Sequence, residues 1–154
     1  MRGYLEDGLP ELMQACERHD YAFSVAFIDL DHFKSINDSF GHAVGDAVLA
    51  QVARIGLHTC RESDVLVRYG GEELVLFMPN TDESGATVAA DRLRLNICGH
   101  DWFTTHEQLQ VTASFGVAQR EPRESIEALL ERADQAMYRA KEDGRDRVIF
   151  SSLL

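Results

Sequence analysis

Two pairs of carboxylates stand where the chain is expected to leave a strand. Asp29 lies inside the apolar run YAFSVAFIDL and Asp31 directly follows it, and Glu72 and Glu73 follow the glycines of RYGGEELVLF. Side chains two apart on a strand share a face, and neighbouring strands lie about 4.8 Å apart. If the two segments pair, Asp29 and Glu72 converge. Their hard oxygen atoms would suit Mg²⁺, which completes its shell with water and phosphate.

Each pair also has a plainer interpretation. An isolated Asp at a strand end commonly caps the following turn, and two glutamates after Gly70 and Gly71 are an ordinary solvated pair. The metal hypothesis therefore depends on the two strands being neighbours. The glycines would then serve a second purpose, because a backbone without side chains lets a bulky ligand approach.

Three cations could complete a phosphate site beside such a metal. Lys34 follows the first acidic pair, and Lys141 and Arg145 lie four apart where the last helix is expected to end. Cations at a helix C-terminus are ordinary by themselves, since the helix dipole favours them. Together with a metal, the three would suit phosphoryl or nucleotidyl transfer. The stretch RESD, from Arg61 to Asp64, is on physical grounds a helix end with a surface ion pair.

Hydrophobic periodicity predicts the elements that must position these residues. The mixture of helices and strands, with one clear hairpin, predicts an α+β fold in which helices pack on an antiparallel-containing sheet. A helix capped by Asn80 or Thr81 is expected to bury Ala86, Ala90 and Leu93, and a polar connection is expected over 99–108. The other predicted helices cover 3–19, 45–57 and 125–142, and the strands cover 21–30, 65–69, 74–78, 109–117 and 147–150.

Composition narrows the class of protein. The 154 residues suit one domain, and 26 acidic against 15 basic residues give a net charge of −11. Such a surface disfavours DNA, RNA and anionic membranes, but not a phosphorylated small ligand. Three widely spaced cysteines give neither a zinc pattern nor a disulfide framework, which predicts reduced thiols in a cytoplasmic protein. No apolar run approaches the ~20 residues of a membrane span, so no membrane contact is expected from this segment.

Four ordered motifs resemble those of the GGDEF family of diguanylate cyclases. Residues 70–74, GGEEL, look like the signature loop in its Glu form, and 29–38 match D-x-D-x-F-K-x-x-N-D. Residues 40–46 match F-G-H-x-x-G-D, and 138–146, YRAKEDGRD, resemble A-K-x-x-G-R-N. The resemblance covers roughly 21–150. It implies one domain over 1–154 with a fold like nucleotide cyclases and the polymerase palm, a central mixed, mainly antiparallel sheet flanked by helices.

The resemblance also implies a reaction and its residues. Two GTP molecules condense to cyclic di-GMP, releasing two pyrophosphates, at the interface of a homodimer whose domains each hold one GTP. Asp29, Glu72 and the carbonyl of Leu30 are the implied ligands of Mg²⁺ or Mn²⁺, and Glu73 assists, with the general base left open between the carboxylates. The implied substrate contacts are Asn37 and Asp46 on guanine, Gly70 and Gly71 along the nucleotide, and Lys34, Lys141 and Arg145 on the β- and γ-phosphates.

The same resemblance gives RESD a second interpretation. Arg61 and Asp64 stand where the family carries its R-x-x-D inhibitory site, and Arg92 stands where some members have a supporting arginine. Bound cyclic di-GMP would stop two domains from meeting, which is feedback through a distant site.

Two departures from the family pattern are visible. Leu74 replaces the usual Phe of the signature, and we expect it to keep the packing. The family opens with D-x-L-T-G-L-x-N-R-R, whereas this chain begins MRGYLED. We therefore expect a domain without its opening segment, with reduced activity, from the cytoplasmic output end of a longer sensor protein.

Two other functions compete with a cyclase. An inactive GGDEF domain would bind GTP or cyclic di-GMP as a regulatory module; the intact metal pair argues against it and the shortened start argues for it. An interaction domain that only passes a signal to a partner would show no nucleotide-induced shift in melting temperature, since a ligand that binds the native state stabilises it.

Overall fold

The computed structural model describes residues 8–154, in which five helices and five strands are found. No helix within that range is long and apolar enough to cross a membrane. The helices are α1 (Leu9–Arg18), α2 (Phe33–Phe40), α3 (His42–Thr59), α4 (Glu83–Cys98) and α5 (Ile126–Glu142), and the strands are β1 (Phe23–Leu30), β2 (Val65–Gly70), β3 (Glu73–Pro79), β4 (Ala113–Gln119) and β5 (Arg147–Phe150).

The strands form one sheet in the order β2-β3-β1-β4-β5. All neighbours are antiparallel except β4 and β5, which are parallel. The central strand β1 therefore lies between the hairpin strand β3 and β4, and Asp29 faces Glu73 on one side and Ser114 on the other. This arrangement confirms the predicted α+β fold, with a mixed, mainly antiparallel sheet flanked by helices.

The two faces of the sheet carry separate cores because side chains alternate along each strand. Ala26, Ile28 and Leu30 of β1 pack with apolar residues of α2, α3 and α4. Val25 and Phe27 pack on the other face with residues of α1 and α5. Continuing this alternation, Asp29 and Asp31 are on the face covered by α5.

A glycine allows α5 to lie directly on β4. A Cβ atom added to Gly116 would come within 2.0 Å of the Ala133 carbonyl oxygen and 2.2 Å of the Met137 nitrogen. Backbone atoms cannot yield as a flexible side chain can, so this close packing requires glycine. The approach carries the last turn of α5, which holds Lys141, to the end of β1.

Most predicted elements are confirmed, with shifted ends. The hairpin strands, the last strand and α5 agree closely, and α4 buries the predicted Ala86, Ala90 and Leu93. The first predicted helix, 3–19, is observed from Leu9, and residues 3–7 lie outside the described range. Strand β4 begins at Ala113, four residues later than predicted, because 109–112 lies outside the sheet ladder.

Three local predictions were wrong. Helix α2 was not predicted, although Phe33, Ile36 and Phe40 have helical spacing. The cap of α4 is neither Asn80 nor Thr81 but Asp82, whose carboxylate accepts from the Gly85 N–H at 2.8 Å. The connection 99–108 is not uniformly polar, because it contains a short 3₁₀ turn whose Trp102 is buried and donates to the Ile97 carbonyl at 2.8 Å.

Candidate active site

Lys141 joins the two aspartates at the end of β1. Its Nζ donates to Asp29 Oδ1 at 3.1 Å and to Asp31 Oδ1 at 2.8 Å, and it lies 3.5 Å from the Leu30 carbonyl oxygen. The prediction that the aspartates share one face is confirmed. Lys141, predicted as a phosphate ligand, thus has two carboxylate partners here, and only 18% of its side chain is exposed.

Asp31 is the more deeply buried aspartate, and sequence reasoning assigned it no role. Its side chain is 1% exposed. Besides Lys141 it accepts from Thr112 Oγ1 and Ser114 Oγ, both at 2.7 Å, and from the Asp146 N–H at 3.0 Å. Burial opposes the charge, but the hydrogen bonds from Lys141, Ser114 and Thr112 outweigh it and lower the pKa of Asp31.

The hairpin brings the second acidic pair to the same edge. The Leu30 N–H donates to the Glu72 carbonyl at 3.3 Å, and Glu73 pairs with Asp29 across the sheet. Burial, together with repulsion from Glu72 and Asp31, raises the pKa of Asp29 despite Lys141. The neighbouring strands required by the metal hypothesis are therefore present, and negative charge is in excess.

Glu73 has an environment of the same kind. Burial raises the pKa of Glu73, and the charges of Asp29, Asp134 and Glu72 raise it further against the opposing effect of Lys141. Asp134 of α5 was absent from the predicted site. Asp134 and Glu73 are far apart in the sequence, so no local pattern predicted that the Asp134 charge would act on Glu73. Their proximity follows from the packing of α5 on the sheet.

The donor set fits a hard divalent cation. Within residues 8–154, no three His, Cys, Asp or Glu side chains are grouped so that they could hold a metal ion by themselves. The predicted ligands are two carboxylates and one backbone carbonyl, all oxygen, and the Lys141 ammonium already lies beside Asp29 and the Leu30 carbonyl. This place attracts a cation. A site with only a few protein ligands suits Mg²⁺, because Mg²⁺ keeps water and phosphate in its shell.

The glycine pair of the hairpin leaves open space. Neither Gly70 nor Gly71 has a positive φ, so the turn does not need glycine for its backbone conformation. A Cβ atom on Gly71 would meet nothing within 4 Å, and one on Gly70 would meet only Glu73 Oε1 at 3.8 Å. Arg68 holds the loop by donating to the Gly71 carbonyl at 2.8 Å. The space beside both glycines is open, as the predicted approach of a ligand to this loop requires.

The predicted guanine ligands, Asn37 and Asp46, lie on the adjacent helices α2 and α3. A Cβ atom on Gly45 would lie 1.9 Å from Asn37 Oδ1, so the Asn37 amide rests on the bare backbone next to Asp46. Neither the Asn37 side chain nor the Asp46 side chain makes a hydrogen bond to another residue of 8–154. Asp46 also lines a 640 Å³ cavity with Leu49, Arg68 and other residues.

The remaining predicted residues of this edge fall into two groups. Lys34 on α2 and Arg145 after α5 are exposed, and within the described range their side chains have no hydrogen-bond or ion-pair partner. Leu74, the departure from the family signature, is 4% exposed and packs in the core under α3 and α4. The expectation that Leu keeps the packing is confirmed.

Arg61 and Asp64 of the RESD stretch line a second cavity, next to the turn that follows β3. Arg61, Asp64 and Arg92 together line a 330 Å³ cavity between the end of α3 and the start of α4. The Arg61 guanidinium donates to Asp64 Oδ1 at 3.3 Å and to the Thr81 hydroxyl. The Asp64 side chain is 2% exposed, so this is a buried carboxylate under an accessible arginine rather than a surface ion pair.

Comparison with known proteins shows the family of this chain. Residues 1–147 match the family described as diguanylate cyclase, GGDEF domain. The chain belongs to the GGDEF family. Its fold is the cyclase and palm-like fold of that family, as the resemblance implied.

Individual GGDEF relatives extend the match. Diguanylate cyclase A of Treponema denticola is 41% identical over 129 residues, which are 83% of this chain and 35% of that relative. The GGDEF domain of DgcB from Caulobacter crescentus, solved in complex with c-di-GMP, superposes with a TM-score of 0.89 at 31% identity, covering 98% of this chain and 90% of that one. The active GGEEF domain of a diguanylate cyclase from Vibrio cholerae superposes with a TM-score of 0.86 at 30% identity, covering 92% of this chain and 90% of that one. The chain thus spans only about a third of the length of the curated relative.

Proposed function

We propose that this GGDEF domain is a diguanylate cyclase, which joins two GTP molecules into cyclic di-GMP and releases two pyrophosphates. The observation that carries the proposal is the meeting of Asp29, Glu73 and Lys141 at one sheet edge, beside the Glu72 turn. Residues 8–154 form one such edge, which would bind one GTP. Two domains therefore have to face each other, each presenting a GTP to the other.

Each condensation forms one P–O bond and breaks another. The 3′-hydroxyl of one GTP attacks the α-phosphate of the other, and the bond to pyrophosphate breaks. Repeating the step with the roles exchanged closes the ring. The chain's own residues have to hold a triphosphate, orient the base and accept the hydroxyl proton.

The carboxylates divide into cation ligands and a base. Asp29, Glu72 and the Leu30 carbonyl would hold Mg²⁺ or Mn²⁺, which when bound neutralises phosphate charge and polarises the phosphoryl group. Glu73 is our candidate for the base, because its raised pKa makes it a stronger proton acceptor than an ordinary glutamate.

The substrate's two ends are assigned to two groups of residues. Asn37 and Asp46 offer an amide and a carboxylate to the guanine edge, and the space over Gly70 and Gly71 accommodates the nucleotide between the ends. The cations proposed for the β- and γ-phosphates are Lys34, Lys141 and Arg145.

The test is product formation. Purified protein is incubated with GTP and Mg²⁺, and cyclic di-GMP is separated by chromatography. Glu72→Ala should lower the rate at least roughly 100-fold, because loss of one charge-stabilising group commonly costs that much. Glu127→Ala, the same change at an exposed site in the first turn of α5, at the opposite end of that helix from Lys141, should leave it unchanged. Product formed equally by both variants would overturn the metal site, and a chain silent even when fused to a dimerising partner would overturn the activity.

We further propose that cyclic di-GMP binds at Arg61, Asp64 and Arg92 and inhibits the enzyme. The buried Asp64 orients the Arg61 guanidinium at a cavity, which suits a phosphate ligand. Titration calorimetry should detect cyclic di-GMP binding that weakens at least roughly tenfold in Arg61→Ala, which removes a charge-assisted bond, and not in Arg18→Ala on α1. Binding without any turnover would make the domain a receptor for this nucleotide.

A further inference from the structure

Asp31 is a buried carboxylate that the proposed chemistry does not use. It receives four hydrogen bonds from different parts of the chain, namely from Thr112 before β4, Ser114 on β4, Lys141 on α5 and the Asp146 N–H after α5. With 1% of its side chain exposed, Asp31 cannot reach a nucleotide itself. Any part it plays in catalysis has to pass through the groups that it holds.

The first of these groups is Lys141. Its Nζ is 2.8 Å from Asp31 Oδ1 and 3.1 Å from Asp29 Oδ1. A lysine side chain has four rotatable bonds and sweeps a wide volume when it is free. Because Asp31 is itself fixed by three other donors, it anchors the ammonium at the end of β1.

The second group is the turn that presents Arg145. After Gly144 (φ +121°), both Arg145 (φ 66°) and Asp146 (φ 45°) adopt left-handed backbone conformations, which residues with a Cβ atom disfavour. The Asp146 N–H donates to Asp31 Oδ2 at 3.0 Å, and the Arg145 N–H donates to the Ala140 carbonyl at 2.9 Å. Arg94 adds a bond from its Nη1 to Asp146 Oδ1 at 3.0 Å. Arg147 Nε also donates to the Arg145 carbonyl, at 2.9 Å. Among these partners, Asp31 is the buried carboxylate that joins the turn to the end of β1.

We propose that Asp31 is a positioning residue that fixes both Lys141 and Arg145 for the terminal phosphates of the bound nucleotide. The inference rests on the proposed function, because it takes GTP as the ligand and these two cations as its phosphate contacts. It goes beyond that function because one carboxylate positions two cations. Asp31 holds Lys141 through the Lys141 ammonium, and it holds Arg145 through the backbone N–H of the next residue, Asp146.

A purely structural Asp31 would behave differently in one measurement. Loss of general stability weakens the binding of every nucleotide alike. Loss of cation positioning weakens the binding of a nucleoside triphosphate but not the binding of a monophosphate, which has no β- or γ-phosphate. The ratio of the affinities for a triphosphate and for GMP therefore separates the two roles.

The experiment measures that ratio by calorimetry with Mg²⁺, using a GTP analogue with a methylene group between the α- and β-phosphates to prevent turnover. In Asp31→Asn the ratio should fall roughly tenfold, the effect of about one lost charge-assisted contact, with the affinity for GMP unchanged. Asp101→Asn, the same change at an exposed residue, should keep the wild-type ratio.

If Asp31→Asn does not fold, Thr112→Val decides the question. This variant removes one 2.7 Å bond to Asp31 and keeps the charge, and it should lower the ratio by roughly threefold, the effect of one neutral hydrogen bond. A folded variant with an unchanged ratio overturns the positioning role, even when the wild-type protein makes cyclic di-GMP. A wild-type protein that binds neither nucleotide overturns the proposed function and this inference together.

Discussion

The two ends of the candidate site are built in opposite ways. They are the phosphate end, where the triphosphate would bind, and the base end, where guanine would bind. At the phosphate end, Lys141 donates to both Asp29 and Asp31, and Asp31 accepts three further hydrogen bonds. At the base end, Asn37 rests on Gly45 beside the exposed Asp46, and neither side chain has a hydrogen-bond partner within the described range.

Burial explains the difference. A charge that is removed from water is costly unless the protein supplies its partners. The aspartates at the end of β1 lie under α5, so their partners have to be present before any ligand arrives. Asp46 is solvated and can remain unpaired. We therefore expect the phosphate end to determine stability as well as binding, and the base end to affect binding alone.

The largest expected effect is on stability at the phosphate end. Asp31→Ala leaves three donors and part of a lysine charge without an acceptor, and it should lower the free energy of unfolding by about 3 kcal/mol. Asp46→Ala removes an exposed, unpaired carboxylate and should change it by less than about 0.5 kcal/mol. Urea unfolding followed by circular dichroism measures both values.

Equal losses in these two variants would contradict the division of the site into a rigid end and an open end. Asp101→Ala serves as the reference for removing an exposed aspartate.

The next effect concerns nucleotide affinity at the base end. Gly45→Ala places a Cβ atom where the Asn37 amide now lies, so that the amide has to turn away. GTP binding should weaken by roughly tenfold, while stability should stay within about 1 kcal/mol of wild type, because alanine favours a helix.

A double-mutant cycle sharpens this prediction. If Gly45 acts through Asn37, the Gly45→Ala and Asn37→Ala effects on GTP affinity should not add in the double variant. Fully additive losses, measured by calorimetry, would mean that Gly45 affects the pocket by some other route.

The smallest effect is a difference in pH dependence between the two aspartates. The pKa of Asp31 is lowered from its ordinary 3.8, so its ionised form stabilises the fold above that pH, and the contribution disappears as pH falls through the folded pKa. The pKa of Asp29 is raised from the same value, so its protonated form stabilises the fold at low pH, and that contribution disappears as pH rises through its folded pKa.

Urea unfolding between pH 2.5 and 7 tests the opposite signs. The stability lost in Asp31→Asn should shrink below pH 3.8, whereas Asp29→Asn should gain stability relative to wild type as pH rises above 3.8. Parallel pH profiles would show that the two carboxylates are not distinguished by their surroundings.

The sequence alone was sufficient for the parts of the fold that depend on local patterns. The alternation of β1 predicted that Asp29 and Asp31 share a face, hydrophobic periodicity predicted α5 over 125–142, and the glycines predicted the hairpin. Ordered motifs identified the family. Helix α2 escaped prediction because it is only eight residues long, carries only three apolar residues, Phe33, Ile36 and Phe40, and has no side-chain cap at its start.

Only the tertiary structure decided which charges are joined. Lys141 meets Asp29 and Asp31 because Gly116 lets α5 lie on the backbone of β4, a contact between residues far apart in the chain. Asp31 gained two of its four donors, Lys141 and the Asp146 N–H, from the same approach, and the other two, Thr112 and Ser114, from the pairing of β1 with β4. Local sequence patterns report which side of an element is apolar, but they do not report how closely two elements approach, and that distance determined the electrostatics of the site.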